Sequence, residues 1–329
     1  MIPVTSTFNQ SGAPATLTVV IDTEEEFDWN APFDRGSTSV RNIDYQHLAQ
    51  DVFSAAGIVP TYVVDYPVAT SASSIAVLKP WLRAGLCEIG AHLHPWVNPP
   101  HDEEVTVRNS FASNLPSDLT RRKLAALRDC IVANFGTSPL VYKAGRYGIG
   151  PETPAILKEL GFIADASVVP HLDSSGEGGP DFRHLPDRPF LTEGGVAELP
   201  LSVHFSGAMA EIGARLFPIL SRLERWRLPG VFSRLGLLER LRLSPEDHGI
   251  ADLCRQTRAA LARGHRHFML TYHSSSLMTG GSPYARTPAD RDALVGTLTE
   301  YIGFFTSIPG WATLTASGLA TTMRAQAQA

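Results

Sequence analysis

The sequence predicts an α/β protein whose parallel strands are covered by helices and curl toward a barrel. Short apolar runs alternate with longer helical patterns along the whole chain, the signature of successive strand–helix units. Seven or eight such units fit into 329 residues, which favours a barrel over an open sheet. Ionisable residues stand where strand after strand ends, and in α/β barrels those ends share the face that carries the active site.

Residues 17–21 (LTVVI) read as a buried strand ending in Asp22, and 45–56 as a helix stopped by Gly57. Residues 60–64 form a second strand ending in Asp65. A helix over 73–84 leads to a third strand before His92. A strong helical period over 119–135 stops at Gly136. Residues 140–143 are the next strand, 151–160 a helix with proline in its first turn, and 162–167 a fifth strand. Residues 197–199 and 268–271 are further strands. A helix over 288–305, a short strand near Ala312 and a helix over 317–324 close the chain. Residues 171–196, rich in Gly, Pro, Asp and Ser, read as one long loop, a type of segment that often carries function. Residues 208–243 carry leucines and arginines at helical spacing, interrupted by Pro229-Gly230. They read as a helical insertion that packs on the barrel or on a partner subunit. Glu211, Glu224 and Glu239 dilute their positive charge, which disfavours a membrane-surface pair. The whole predicts one domain over residues 15–325.

With 43% hydrophobic and 19% charged residues, the composition is that of an ordinary globular chain. A net charge of −5 excludes nucleic-acid binding by bulk electrostatics. No run of eighteen apolar residues exists, so no transmembrane helix is expected. Cys87, Cys130 and Cys254 form neither a disulfide framework nor a CxxC metal motif. These features, with a start that lacks a basic and apolar leader, predict a cytoplasmic protein.

The strand ends carry Asp22 and Glu24 (VVIDTEEEFD), Asp65, then His92 and His94 (EIGAHLHP), then Lys143, Arg146 and Tyr147 (YKAGRYG). Asp165, His204 and His273 (LTYH) follow. Residues i and i+2 of a strand point the same way, so both His92 and His94 can face one pocket. A carboxylate and two imidazoles suit zinc or another divalent first-row ion. A second carboxylate can act as base on a water, and a distant histidine can protonate a leaving group. Together these types point to metal-assisted hydrolysis of an amide or ester. Glu25, Glu26 and Asp28 read as a solvated or loop-ordering cluster.

Over residues 15–325 the chain resembles the polysaccharide deacetylase superfamily, the NodB-like carbohydrate esterases. The resemblance rests on five ordered motifs: VVIDTEEEFD, EIGAHLHP, YKAGRYG, Asp165 after the fifth strand, and Leu270 with His273 in LTYH. It departs from the family pattern in spacing the histidines by two, in Glu24 for the usual aspartate, and in Lys143 for the usual arginine. His101 stands close enough in sequence to substitute for His94. The resemblance implies a distorted (β/α) barrel of about seven strands and removal of N- or O-acetyl groups from a sugar or polysaccharide precursor. It implies Glu24, His92 and His94 as ligands of a divalent metal such as zinc. Asp22 would be the base, oriented by Lys143 or Arg146, and His273 the acid, tuned by Asp165. Tyr147, Trp96, Lys143 and Asp65 would contact the carbohydrate, with Trp29 as a further stacking surface. Two alternatives stand beside this: a metal-independent cyclic-amide hydrolase similar to allantoinases, and a degenerate carbohydrate-binding protein.

Overall fold

The computed structural model describes residues 2–8, 12–222, 228–246 and 248–328. The strands are β1 (Val4–Thr7), β2 (Thr16–Thr23), β3 (Thr61–Val64), β4 (Glu88–Leu93), β5 (Val141–Ala144) and β6 (Ala164–Asp165). After them come β7 (Phe190–Thr192), β8 (Ala197–Glu198), β9 (Val203–Ser206), β10 (Glu239–Arg242), β11 (His267–His273) and β12 (Ala312–Thr313). The helices are α1 (His47–Ala55), α2 (Tyr66–Thr70), α3 (Ala72–Arg83), α4 (Ser117–Phe135) and α5 (Thr153–Glu159). The second half carries α6 (Gly213–Arg222), α7 (Leu228–Arg234), α8 (Ile250–Ala262), α9 (Pro288–Thr306) and α10 (Ala316–Gln328).

The main sheet runs β1-β7-β8-β6-β5-β4-β3-β2-β11, with β12 against the lower half of β2. Its interior pairs, from β8 through β6, β5, β4, β3 and β2 to β11, are all parallel, as the alternating pattern predicts. The sheet curls into a half-barrel, a distorted (β/α) barrel whose path ends at β1 and β11 without closing. β2 is central. Its core residues Leu17, Val19, Val20 and Ile21 are fully buried, because a curled parallel sheet packs helices on its outer face and strand side chains on its inner one. In-register pairing brings Asp22 beside His273 on β11 and beside Val63 on β3. The parallel register therefore collects the strand-end residues of distant segments at one edge.

Two regions differ from the sequence reading. The long 171–196 segment is not structureless: β7 within it pairs antiparallel with β1, an edge strand too short to carry a readable pattern. The 208–243 insertion is helical only in part. After Gly236, whose positive φ of 65° turns the chain, β10 pairs antiparallel with β9. Phe205 on β9, with Leu220 and Leu238, forms a small core for α6 and α7 that is separate from the main one.

The EIG stretch has a packing reason. A Cβ on Gly90 would meet Val141 O and Val63 Cγ1 at 2.8 Å each, so glycine lets β3, β4 and β5 close up. Gly90→Ala should cost about 1–3 kcal/mol by overpacking, read as a lower urea midpoint.

Candidate active site and metal centre

β2 ends in an unusual concentration of buried acid. Asp22, Glu24 and Glu25 are all nearly inaccessible, and such charges persist only when compensated. The backbone here is fixed by three contacts. Glu24 N–H donates to Ser274 Oγ at 3.1 Å, Asn42 Nδ2 donates to Glu24 O at 3.0 Å, and Glu25 N–H donates to Asp65 Oδ2 at 2.6 Å. Strand alternation sends Asp22 and Glu24 into one cavity and Glu25 behind it.

Glu24, His92 and His94 converge: one ligand atom from each lies within 4.8 Å of the others. Glu24 Oε2 is 3.4 Å from both His92 Nε2 and His94 Nε2, while Glu24 Oε1 is buried without a partner. Both Nδ1 atoms are engaged behind the site. His92 Nδ1 bonds Lys143 O at 3.0 Å, and His94 Nδ1 bonds Glu25 Oε2 at 2.7 Å. That leaves the two Nε2 atoms to face Glu24, the pattern of imidazoles oriented for a metal. The donor set fits zinc or a similar divalent ion, and the orphaned Oε1 is what such an ion would satisfy.

The chain spaces these histidines by two because β4 runs extended through Leu93, which is buried. Gly145 makes room for the second ring: a Cβ there would meet Leu93 O at 2.7 Å and His94 Nε2 at 2.9 Å. Trp96 stacks on His94, centroids 4.3 Å apart, and donates Nε1–H to Glu25 Oε1 at 2.8 Å. The loop after His94 is held from below by Lys123 of α4. Its buried Nζ donates to Pro95 O, Asn98 O and Pro100 O at 2.9, 2.6 and 2.8 Å. His101 is exposed, away from this cluster.

Glu25 is therefore not a solvated acid. Burial, with the Asp65 contact opposing it and the Glu24 charge adding to it, pushes Glu25 up to about 7. Burial also raises Asp65 well above the carboxylate range. The two carboxyls behind His94 thus hold at least one proton near neutrality. Burial lowers His94, so its ring is neutral, the ligating form.

Beside the triad sits an ion pair. Lys143 Nζ donates to Asp22 Oδ1 at 2.5 Å and to Thr271 Oγ1 at 3.0 Å. Burial alone would raise Asp22, but the Lys143 ammonium outweighs it with help from His92 and His273, leaving Asp22 at about 2. His273 Nε2 lies 3.8 Å from Asp22 Oδ2. Its Nδ1 bonds Glu246 Oε2 at 3.0 Å, and Glu246 Oε1 accepts from His273 N–H at 2.9 Å and Ser276 Oγ at 2.5 Å. Burial opposes protonation of His273, yet Glu246, Glu24 and Asp22 together raise it to about 9.

Asp22, Glu24, His92, His94, Trp96, Arg146, Tyr147 and His273 line one cavity of about 380 Å³, together with Phe27, Trp29, Phe33, Phe111, Arg242 and Tyr284. Arg146 and Tyr147 reach it from a strained turn, with φ of 51° and 60° in successive non-glycine residues. Four sequence expectations change. Arg146 does not orient Asp22: it bonds Ser110 Oγ at 2.8 Å, pairs with Glu177, and lies over the Phe111 ring. Lys143 is fully buried on Asp22 and faces no substrate. Asp65 is also fully buried; it caps α2 by accepting from Val68 N–H at 2.8 Å and does not line the cavity. Asp165 points away from the site toward its register neighbour Glu198, bonding Ser167, so Glu246 takes the place on His273 expected for it. Glu246 stands in a turn, in SPEDH, and no strand-end signal marks it.

The fold matches solved structures over nearly its whole length. A protein from Mycobacterium smegmatis described as a polysaccharide deacetylase superposes with a TM-score of 0.55 at 17% identity, over 99% of this chain and 96% of that one. The PuuE allantoinase gives 0.50 at 16% identity, over 94% and 90%. A 4-alpha-glucanotransferase from Thermococcus litoralis gives 0.53 at 12% identity, over 94% of this chain but 40% of its own. No protein-family model and no curated protein matches the sequence. The chain shares its fold with these structures, the Mycobacterium smegmatis protein among them.

The His273–Glu246 contact has a pH signature. A histidine raised from 6.5 to about 9 adds stability that is complete below pH 6.5 and is lost as pH rises through 9. In metal-free protein, stability should fall over that interval. Glu246→Gln should flatten the fall and bring the His273 titration, followed by imidazole NMR, back toward 6.5.

Proposed function

We propose that the protein is a metal-dependent hydrolase that removes N-acetyl or O-acetyl groups from a sugar or polysaccharide precursor. The observation that carries this reading is the convergence of Glu24, His92 and His94 on one point beside the ionised Asp22–His273 pair. Glu24, His92 and His94 would hold a divalent ion, with zinc the natural candidate for two imidazoles and a carboxylate. Such an ion supplies Lewis-acid polarisation of the acyl carbonyl and acidifies the attacking water.

The chain's own groups do the rest. Asp22, ionised and clamped by Lys143, accepts the proton from water at Oδ2. The water oxygen forms the new bond to the carbonyl carbon, and the C–N or C–O bond to the sugar breaks. His273, kept protonated by Glu246, delivers the proton from Nε2 to the leaving nitrogen or oxygen. Oδ2 and Nε2 lie 3.8 Å apart, beyond direct hydrogen-bond reach, so solvent water returns the proton from Asp22 to His273 once product has left. Glu25 and Asp65 hold His94 in place. Trp29 stands edge-on to His273, ring centroids 5.0 Å apart, and with Tyr147 and Phe27 offers apolar faces to a sugar ring. Arg146 and Arg242 offer donors at the cavity wall.

Convergence of the three donors weighs against the metal-independent cyclic-amide reading. The intact Asp22–His273 pair weighs against a carbohydrate-binding protein without catalysis. Within this reading the catalytic domain is the single barrel of residues 15–325, and the compartment is cytoplasmic, in keeping with three unpaired cysteines. Among the described residues no helix is long and apolar enough to cross a membrane. The exposed Ile219, Val231 and Leu235 of the 208–243 insertion mark where a second copy would pack.

Asp22→Asn and His273→Ala should each lower kcat by about 10²–10⁴-fold on an acetylated amino sugar while metal content is unchanged. His92→Ala should abolish metal uptake at this site. Full activity after exhaustive chelation, with no metal detected, would sink the proposal. Gly145→Ala, which pushes on the His94 ring, should weaken metal affinity on the order of 10–100-fold and leave the fold intact, read by metal titration and circular dichroism.

A further inference from the structure

We propose that the foot of the barrel holds a second divalent-metal site, formed by Asp187, His204 and His265 and separate from the catalytic centre. The three residues come from three segments. Asp187 precedes β7, His204 lies on β9, and His265 follows the Gly264 turn that leads into β11. One ligand atom from each lies within 4.8 Å of the others. The two imidazole rings are 4.4 Å apart, centroid to centroid, and His265 Nε2 lies 3.7 Å from Asp187 Oδ2.

A second observation points to a ligand. His204 is 3% exposed, and its Nε2 is buried with no hydrogen-bond partner. Buried polar nitrogens are almost always paired, and an ion between the rings would supply the missing contact. Two imidazoles and one carboxylate are the donor set of zinc and its first-row neighbours. Burial keeps both rings neutral, lowering His204 well below its usual value and His265 to about 4, and neutral imidazole is the ligating form.

The surroundings carry positive charge, from Arg188, Arg263 and Arg266. The guanidiniums are turned to backbone carbonyls. Arg188 donates to Arg263 O at 3.1 Å and Gly264 O at 3.5 Å, Arg263 to Phe205 O at 2.9 Å, and Arg266 to Leu261 O and His265 O at 2.9 Å each. Their field lowers the affinity for a cation, so this site should bind more weakly than the one at Glu24.

The site is remote from the chemistry. β11 carries His273 at one end and follows His265 at the other, roughly 25 Å away at about 3.3 Å per residue. The ion would act as a clamp, because Asp187 belongs to the 171–196 segment, whose Leu172 and Ser174 line the catalytic cavity. Binding there ties that segment to β9 and β11.

The test is a Zn²⁺ titration of the chelator-treated full chain, with bound metal counted by elemental analysis. His265→Gln should bind one equivalent fewer than wild type, whatever the catalytic site retains. His92→Gln should keep the lower equivalent, and Zn²⁺ should raise its Tm. The double variant His92→Gln/His265→Gln should bind none and show no shift. Should His265→Gln fail to fold, Asp187→Asn replaces it, since Asp187 is 36% exposed and the change is isosteric. Wild-type stoichiometry in His265→Gln or Asp187→Asn, or an unshifted Tm in His92→Gln, overturns the proposal.

Discussion

The compensation of buried acid at the end of β2 is the constraint on which the site depends. Asp22, Glu24 and Glu25 lie within four residues and are all withdrawn from water. Each is answered differently. Asp22 has a full positive charge from Lys143, brought by β5, which β4 and β3 separate from β2 in the sheet. Glu25 takes donors from His94 and Trp96, gives its backbone N–H to Asp65, and has its carboxyl within 4.8 Å of the Asp65 carboxyl. Glu24 alone keeps an oxygen without a partner. A buried charge left incomplete is costly, and the place where the fold leaves it incomplete is where two imidazoles point. The likeness to solved structures speaks for the fold; this local imbalance speaks for the chemistry.

Much of this was legible from residue order. Short apolar runs gave β2, β3 and β5, and parallel pairing of such runs puts their ends on one side. The residues at those ends, Asp22, Glu24, His92, His94 and His273, were therefore nameable before any coordinate. What the pattern hides is orientation and reach. Asp165 also ends a strand, yet β6 has only two residues and turns that carboxyl toward Glu198. Glu246 lies in the turn after β10, a strand that the helical reading of 208–243 hid, and meets His273 because that turn folds over β11. Glu25 sits in a run of three glutamates, which reads as solvated; its burial depends on Trp96 and Asp65 arriving from elsewhere. The helical period of 235–242 misled for a related reason, since Leu241 and Leu238 are buried by pairing with β9 and by the small core around Phe205.

Lys143 and Gly145 show how local choices of residue serve both halves of the site. The Lys143 side chain holds the proton acceptor, and its backbone carbonyl orients His92. Two positions on, the absence of a side chain admits His94. An arginine at 143 would have to fit a planar guanidinium into a space that now holds one ammonium between Asp22 and Thr271.

The loop after His94 carries a different consequence. Pro95, Asn98 and Pro100 present carbonyls to a single ammonium on α4, so one lysine replaces the regular backbone pairing the prolines forgo. Surface loops ordinarily accept insertions cheaply. This one is measured against the fixed length of one side chain, and an added residue would pull at least one carbonyl out of reach. Descendants of this chain can vary the sequence of that loop far more freely than its length, so diversification of the site is expected through exchange of side chains here and through insertions elsewhere.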